Sequence, residues 1–158
     1  MVRRFFLLFT LLASLSAAIA QRTKPATQKT PVVQKFKAPI VKTTWGKYSD
    51  SSTVTVDEGL ALLRTPLTIS DDKTSYGIST YQFLYRKRTV TEDEETGKVT
   101  PTTTTMIHLF KSTPLPEDWI NTISYQLRSG EELYFFDVLA KDGQGHIFFA
   151  PTLKVKIK

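Results

Sequence analysis

The last six residues constrain the fold of this chain more than any other segment does. Leu153, Val155 and Ile157 are separated by single lysines. Successive side chains of a β-strand point to opposite faces, so this alternation predicts a strand with one buried face and one face of lysines. Because charged side chains commonly protect a sheet edge, we predict that this segment is an edge strand. The fold must therefore contain a sheet.

Two further strands are predicted immediately before this segment. Residues 133–140 are apolar on both faces except at Asp137, which is the pattern of a central strand. Residues 142–145 read Asp-Gly-Gln-Gly, a sequence typical of a tight turn, and residues 146–150 are expected to pair back. The last third of the chain is thus predicted to be β-structure.

The middle of the chain combines short strands with two helices. Thr55 and Glu58 form a capping-box pattern, and the apolar spacing after it predicts a short helix. A second helix is expected to begin near Glu117 and to be capped at Gly130. The predicted strands of this region cover residues 40–45, 67–69, 76–88 and 102–110. Together these elements predict a mainly β fold, an Ig-like β-sandwich with one or two short helices, in a single domain over residues 40–158.

The N-terminal region predicts export and a tether. Residues 1–20 begin with a charged segment at Arg3 and Arg4, continue through an apolar stretch and end in Ala-Ile-Ala, as in a cleavable signal peptide. The apolar run is shorter than the roughly 20 residues that span a bilayer. Residues 21–39 are basic, contain three prolines and are expected to form a disordered linker. We therefore predict an exported protein, located in the periplasm or, as the alternative, at the cell surface or outside the cell.

Charge is distributed unevenly along the chain. The net charge of +6 comes from 21 basic and 15 acidic side chains, yet residues 51–158 carry 12 basic and 14 acidic ones. A nucleic-acid-binding domain concentrates positive charge on its folded surface, so no nucleic-acid partner is predicted. Membrane contact is expected at most through the lysines of the linker. The sequence contains no cysteine, which excludes disulfides, thiolate metal sites and a cysteine nucleophile.

The sequence contains no motif for catalysis, cofactor binding or metal binding, and no residue is assigned to these roles. His108 and His146 have no second metal ligand at strand or helix spacing. Nucleophile elbows, phosphate-binding glycine loops and zinc-protease motifs do not occur. An enzyme would need carboxylates such as Glu132 and Asp137 to converge in a cleft. We therefore predict that the protein is not an enzyme.

The final third of the chain resembles a known family. Residues 130–140 read Gly-Glu-Glu-Leu-Tyr-Phe-Phe-Asp-Val-Leu-Ala, an Asp-Gly turn follows at Asp142, and the chain closes on Leu-Lys-Val-Lys-Ile-Lys. With the aromatic strand of residues 81–85 upstream, this order is similar to the C-terminal domain of the GldM family over roughly residues 53–158. Members are periplasmic proteins of the gliding-motility and type IX secretion apparatus of Bacteroidetes-type bacteria. The resemblance implies an Ig-like β-sandwich that binds proteins and has no enzymatic activity, here as a stand-alone exported domain.

Two functions follow from these observations. We expect a non-catalytic periplasmic protein-interaction module, accessory or related to the secretion and gliding machinery, whose partner is a protein of the cell envelope. The alternative is a secreted glycan- or ligand-binding, adhesin-like sandwich that uses aromatic side chains such as Trp45 or Trp119. Residues 91–98 form an acidic loop that ends in Thr96-Gly97, which predicts a hairpin tip. Because loops and strand edges commonly form partner contacts, we predict a partner surface at the loop of residues 91–100 and at the lysine-bearing strand. The predicted partner-binding residues are Glu92, Glu94, Lys98, Lys154 and Lys156.

Overall fold

A curled sheet of eight strands, with two helices packed on one of its faces, organises the described part of the chain. The computed structural model describes residues 35–158, so the predicted signal peptide and most of the predicted linker lie outside the described residues. The predicted fold class, a mainly β, sandwich-like architecture with one or two short helices, is confirmed. The strands are β1 (Lys42–Trp45), β2 (Ser52–Val54), β3 (Leu67–Ser70), β4 (Ser75–Glu92), β5 (Val99–Phe110), β6 (Glu132–Lys141), β7 (Ile147–Phe149) and β8 (Leu153–Ile157), and the helices are α1 (Val56–Leu63) and α2 (Glu117–Gln126).

The long strand β4 is the centre of the sheet. It pairs antiparallel with β3 through its first residues, with β6 over residues 77–86 and with β5 over residues 81–92. The order along the sheet is β1-β3-β4-β6-β8-β2, with β5 added to β4 and β7 added to β6. Two register shifts interrupt the β4–β6 ladder between Ile78 and Gln82, and Asp137 on the opposite strand has a φ of +47°. Such bulges bend a strand, and they allow β4 to join β1 and β3 to the larger part of the sheet.

Aromatic side chains on the helix-facing side of the sheet, which we call the inner face, form the centre of the core. Tyr81, Phe83 and Tyr85 have no exposed surface, as their alternation along β4 predicts. The ring of Phe135 on β6 lies 4.9 Å from that of Phe83, and the ring of Trp45 meets Phe135 edge-on at 4.8 Å. Burial raises the pKa of Tyr81 to about 12. The core is therefore centred where β1 faces β4 and β6.

Helix α1 begins at the predicted capping box. Oγ1 of Thr55 accepts a hydrogen bond from the amide of Glu58 at 3.3 Å, and Oε2 of Glu58 accepts from the amide of Thr55 at 3.1 Å. Gly59 leaves no room for a side chain, because a Cβ there would lie 2.8 Å from Cδ1 of Ile157. The glycine allows the helix to approach β8 closely.

Helix α2 ends before the residue that the sequence predicts as its cap. The C-cap residue is Leu127, whose amide donates to the carbonyl of Ile123 at 2.8 Å. Gly130 instead lies in the turn that leads into β6, with a φ of +88° that favours glycine, and its amide donates to the carbonyl of Ile157 at 2.8 Å. The prediction for Gly130 is wrong, because this glycine serves the turn and not the helix.

Strand β8 is not an edge strand, so that prediction is also wrong. It pairs antiparallel with β6 and parallel with β2, and both of its edges are therefore occupied. Sequence periodicity does not reveal β2, because that strand has only three residues. Lys154 and Lys156 consequently face solvent from within the sheet. Among the described strands, the long unprotected edge belongs to β5, which pairs only with β4.

A buried carboxylate connects several of these elements. Glu131, directly before β6, is 1% exposed. Its Oε2 accepts from the hydroxyl of Tyr85 and, at 2.9 Å, from the amide of Arg128, and its Oε1 accepts from the amide of Arg88 at 3.3 Å. Burial, together with the bond to Glu131, raises the pKa of Tyr85, so that the phenol remains protonated as a donor. The carbonyl of Glu131 also accepts from the amide of Ile157 at 2.9 Å. The segments around β4 and α2 therefore meet at the Glu131 side chain, and β8 bonds to the backbone of the same residue.

Removal of the Tyr85 hydroxyl is expected to destabilise the fold. In Tyr85→Phe the carboxylate of Glu131 loses one of its three donors, and such a buried group left short of a partner costs about 1–3 kcal/mol. Urea unfolding followed by circular dichroism should show a lower free energy of unfolding with an unchanged m-value. The matched control is Tyr125→Phe, at a side chain that is 84% exposed, and it should leave the curve unchanged. Identical curves for Tyr85→Phe and the wild-type protein would contradict this role of Glu131.

Candidate interaction surface

The strand register aligns residues in rows on the side of the sheet away from the helices, which we call the outer face. This face carries the side chains that alternate with the buried ones of the inner face. The first row, from β5 across β4 and β6 to β8, is Ile107, Leu84, Tyr134 and Lys154, and the second row is Thr105, Arg86, Glu132 and Lys156. A row that is apolar up to Lys154, which we call the apolar row, thus lies beside a row with three charged side chains.

Glu132 is the centre of a charged cluster on the outer face. Its Oε2 lies 2.8 Å from Nη1 of Arg86, and its Oε1 lies 2.9 Å from Nζ of Lys154. The hydrogen bond from Lys154 holds the pKa of the Glu132 carboxyl below its ordinary value. A cleft of about 270 Å³, with Tyr134 in its wall, opens beside this cluster. Two cations compensate one carboxylate, and Lys156 in the same row adds a further positive charge.

Apolar side chains occupy much of the remaining outer face. Ile107 and Leu109 on β5 are 51% and 52% exposed, and Phe149 on β7 is 72% exposed. The rings of Tyr134 and Phe136 on β6 stack with their centroids 5.3 Å apart. Single exposed apolar residues are normal, but apolar side chains from several strands on one face are typical of a binding surface.

The β4–β5 hairpin extends beyond the rest of the sheet. The ladder between β4 and β6 ends at Arg86, whereas the ladder between β4 and β5 continues to Glu92. Residues 89–102 of this hairpin, which we call the arm, include no buried residue. Threonine hydroxyls link its two strands, for example Oγ1 of Thr89 and Oγ1 of Thr102 at 2.8 Å. The arm is therefore ordered without contributing to the core.

The tip of the arm is an acidic turn, at the place where the sequence predicts a hairpin tip. Oδ1 of Asp93 accepts from the amides of Thr96 at 2.8 Å and Glu95 at 3.1 Å. These bonds, that from the Thr96 amide above all, hold the pKa of Asp93 below its ordinary value. Gly97 follows with a φ of +68°, which returns the chain into β5. The turn thus presents its carboxylates on a defined backbone.

The five predicted partner-binding residues fall into two groups, Lys154 and Lys156 on the outer face and Glu92, Glu94 and Lys98 at the tip of the arm. Glu92 lies six residues along β4 from Arg86, which shares a row with Lys156. At the rise of an extended strand this spacing corresponds to about 20 Å. The structure therefore does not bring the two groups together into one site.

The two carboxylates considered for catalysis lie in different surroundings on β6. Glu132 is engaged by Arg86 and Lys154, while Asp137 lies in the bulge and accepts from Nε2 of Gln82 at 2.8 Å. Over residues 35–158, no cluster of three or more His, Cys, Asp or Glu side chains is placed to hold a metal ion. The helices within that same range are too short and too polar to cross a membrane.

The aromatic residues predicted as glycan contacts are positioned by the core. Trp45 is 1% exposed and its Nε1 donates to the carbonyl of Thr65 at 2.9 Å, so its prediction as a ligand contact is wrong. Trp119 packs edge-on against Phe110 at 5.3 Å. The sequence does not predict the stacked pair of Tyr134 and Phe136 on the outer face, because it does not show which side of β6 packs against the core.

The contribution of β5 to the surface was missed as well. Residues 99–110 contain no Asp, Glu, Lys or Arg, and they show no alternation that would indicate which face is buried. The absence of charge was the available signal, since strands at a sheet edge usually carry protective charges. The lack of charge can be interpreted only when the strand pairing is known, because the pairing shows that β5 has one neighbouring strand among the described residues.

Comparisons with known proteins do not assign this surface to a family. No family model matches the sequence, and no curated protein matches it. The likeness to the GldM C-terminal domain remains a resemblance of residues.

Loss of the Lys154 ammonium is expected to raise the pKa of Glu132 toward its ordinary value. A carboxyl whose pKa is lowered in the folded state stabilises the fold above its unfolded-state pKa, and this contribution is lost as the pH falls through the folded-state pKa. At neutral pH, Lys154→Met should therefore reduce the free energy of unfolding by about 0.5 kcal/mol, a small effect because the lysine is partly exposed. The difference should vanish in acid.

The measurement is an NMR titration of the Glu132 side-chain carboxyl, combined with urea unfolding at each pH. Lys156→Met is the matched control, because Lys156 lies on the same strand and face but acts on Glu132 only through its charge and not through a hydrogen bond, so this variant should raise the carboxyl pKa less than Lys154→Met does. A carboxyl that titrates identically in Lys154→Met and in the wild-type protein would show that the ion pair does not control Glu132.

Proposed function

We propose that this chain is a non-catalytic protein-interaction module of the bacterial cell envelope. The observation that carries the proposal is the outer face, where exposed apolar side chains of β5 and β7 and the half-buried rings of Tyr134 and Phe136 lie on the same side of the sheet as the charged cluster of Glu132. Protein interfaces combine a central apolar patch with polar groups at its rim. A surface of this composition is suited to a protein partner.

The arm supports the same proposal. Ordering a residue costs about 1–2 kcal/mol of backbone conformational entropy, and burial normally offsets this cost. Residues 89–102 are held by strand pairing, threonine contacts and the hydrogen bonds of the Asp93 turn, with no burial in the core. A partner that binds along the arm would supply the missing burial.

The cellular setting of the proposal comes from the sequence. The signal-peptide pattern of residues 1–20 supports export, with the periplasm as the proposed compartment. The GldM-like order of residues 130–140 and of the closing strand supports a further step, in which the chain is an accessory or a relative of the type IX secretion and gliding machinery.

A second candidate function is a secreted glycan- or ligand-binding, adhesin-like module, and one observation favours it. The stacked rings of Tyr134 and Phe136 lie on the outer face, with the polar side chains of Gln82 and Asp137 beside them. Aromatic rings flanked by hydrogen-bonding groups suit a sugar ring. Titration with envelope polysaccharides that gives saturable binding, lost in Tyr134→Ala, would place this function first.

Leu109→Lys is expected to reduce capture of the protein partner strongly. The substitution places a charge within the apolar part of the outer face, and desolvating it on binding should reduce recovery by about tenfold or more. The measurement is affinity capture of the tagged protein from crosslinked native envelopes, read by quantitative mass spectrometry.

The matched control for this experiment is Tyr125→Lys, which adds the same charge at an exposed position on α2. A partner that is recovered with the wild-type protein and with Tyr125→Lys, but lost with Leu109→Lys, supports the proposal. Recovery of the protein alone from a properly exported pool would overturn it.

A further inference from the structure

The free edge of β5 carries a row of unpaired backbone groups. In an antiparallel ladder, alternate residues direct both N–H and C=O toward the neighbouring strand. The amide of Asp93 donates to the carbonyl of Lys98 at 3.0 Å, so the alternation can be counted from this pair along a register without shifts. Even-numbered residues of β5 then bond to β4, and odd-numbered residues point to the free edge. Pro101, which has no N–H, falls on the free side, where proline is tolerated.

This edge has little of the protection that sheet edges usually carry. Strand β5 has 12 residues, and within the described part of the chain it pairs only with β4. Natural proteins protect edge strands with charges, bulges or short length. Strand β5 has no charged side chain and no register shift, and its one proline lies near its beginning. The other end of the main sheet is β2, which has three residues.

Side chains around the edge divide into an apolar half and a basic half. Near the end of β5, Ile107 and Leu109 are exposed on the outer face. On the inner face the ring of His108 lies 5.7 Å from that of Trp119. The other half of the edge consists of the threonines of residues 103–105. It is basic because these threonines pair with three basic residues of β4, which are Arg86, Lys87 and Arg88.

We propose that an extended segment of another envelope protein adds to this sheet as a strand antiparallel to β5, with apolar side chains beside Ile107 and Leu109 and carboxylates directed toward Arg86 and Arg88. This inference rests on the proposed function and names the binding mode and the chemistry of the partner. Neighbouring strands lie about 4.8 Å apart, so a glutamate of the added strand can reach across a threonine to an arginine of β4. Backbone bonds supply affinity and the side chains supply specificity.

A second copy of this chain fits the edge less well. In an antiparallel ladder, residues that point to the partner strand lie opposite each other, so odd-numbered residues of one copy must face odd-numbered residues of the other. When two β5 strands pair about Thr105, which overlaps nearly the whole strand, Ile107 of one copy faces Thr103 of the other, and Leu109 faces Pro101. The apolar half of each copy then meets a threonine and a proline. The basic residues of the two β4 strands also face each other across about 14 Å, where their charges repel. An acidic partner strand removes both conflicts.

The test titrates the full-length protein with a synthetic peptide, Val-Thr-Ile-Thr-Glu-Thr-Glu-Thr, whose residues face Leu109 to Thr102 in that order. Amide hydrogen exchange is read by NMR. In the free protein the amides of Thr103, Thr105 and Ile107 should exchange rapidly, because they have no acceptor. Bound peptide should slow them by about tenfold or more, while the amides of Thr104 and Met106, already bonded to β4, should change little.

Two controls separate strand addition from other modes of binding. A peptide with lysines in place of both glutamates should bind about tenfold more weakly, and this comparison needs no protein variant. Thr105→Pro removes an outward N–H without removing a donor from the β4 ladder, so it should weaken binding of the glutamate peptide. Val99→Pro makes the same change beyond the reach of the peptide and should not.

Several results would overturn the proposal. The first is that the glutamate peptide shows no saturable binding up to about 1 mM. The second is that the glutamate and lysine peptides bind equally well. The third is that the peptide slows amide exchange in β5 without the expected alternation between odd-numbered and even-numbered residues. Protection of the odd-numbered amides that rises with protein concentration alone would assign the edge to a second copy. If the peptide fails but envelope capture still depends on Leu109, strand addition is wrong and the proposed function stands. If capture fails as well, both are wrong.

Discussion

The buried carboxylate of Glu131 is the interaction on which the arrangement of the sheet depends. A carboxylate removed from water is tolerated only with its donors in place, and here they come from the Tyr85 hydroxyl and from the amides of Arg88 and Arg128. Its carbonyl accepts from the amide of Ile157, which holds the end of β8 at the start of β6. The row of Arg86, Glu132 and Lys156 on the opposite face is a consequence of that placement, because the same pairing aligns its members.

Local patterns in the sequence predict the inner face well. The Thr55 capping box, the aromatic alternation of Tyr81 to Tyr85 and the apolar positions of the last strand each depend on neighbours within a few residues, and all three are confirmed. The errors concern contacts between distant segments. Nothing local shows that the three residues of β2 pair with β8, so the lysine-bearing strand was placed at an edge. Gly130 likewise follows a helix in sequence but serves a turn whose partner is Ile157.

The candidate site could be predicted only in part, for the same reason. The lysines of β8 and the acidic tip of the arm are recognisable as exposed charge in the sequence, and both are exposed or half-buried in the structure. Their separation along the sheet, and the apolar row that runs from Ile107 on β5 to Lys154, follow from the register of four strands. The bulge at Asp137 also shifts the alternation of β6 by one residue, so the outer position of Phe136 could not be read from a continuous period of two.

The two ends of the main sheet differ in a way that core formation does not require. Strand β2 ends the sheet with three residues beside the lysines of β8, whereas β5 ends it with 12 uncharged residues and extends into an arm that buries nothing. Ile107 and Leu109 belong to both features, because their side chains lie on the outer face and their backbone groups point to the free edge. A strand added beside β5 would therefore widen the apolar surface with the same residues to which it pairs. Backbone pairing and side-chain packing are then two components of one site.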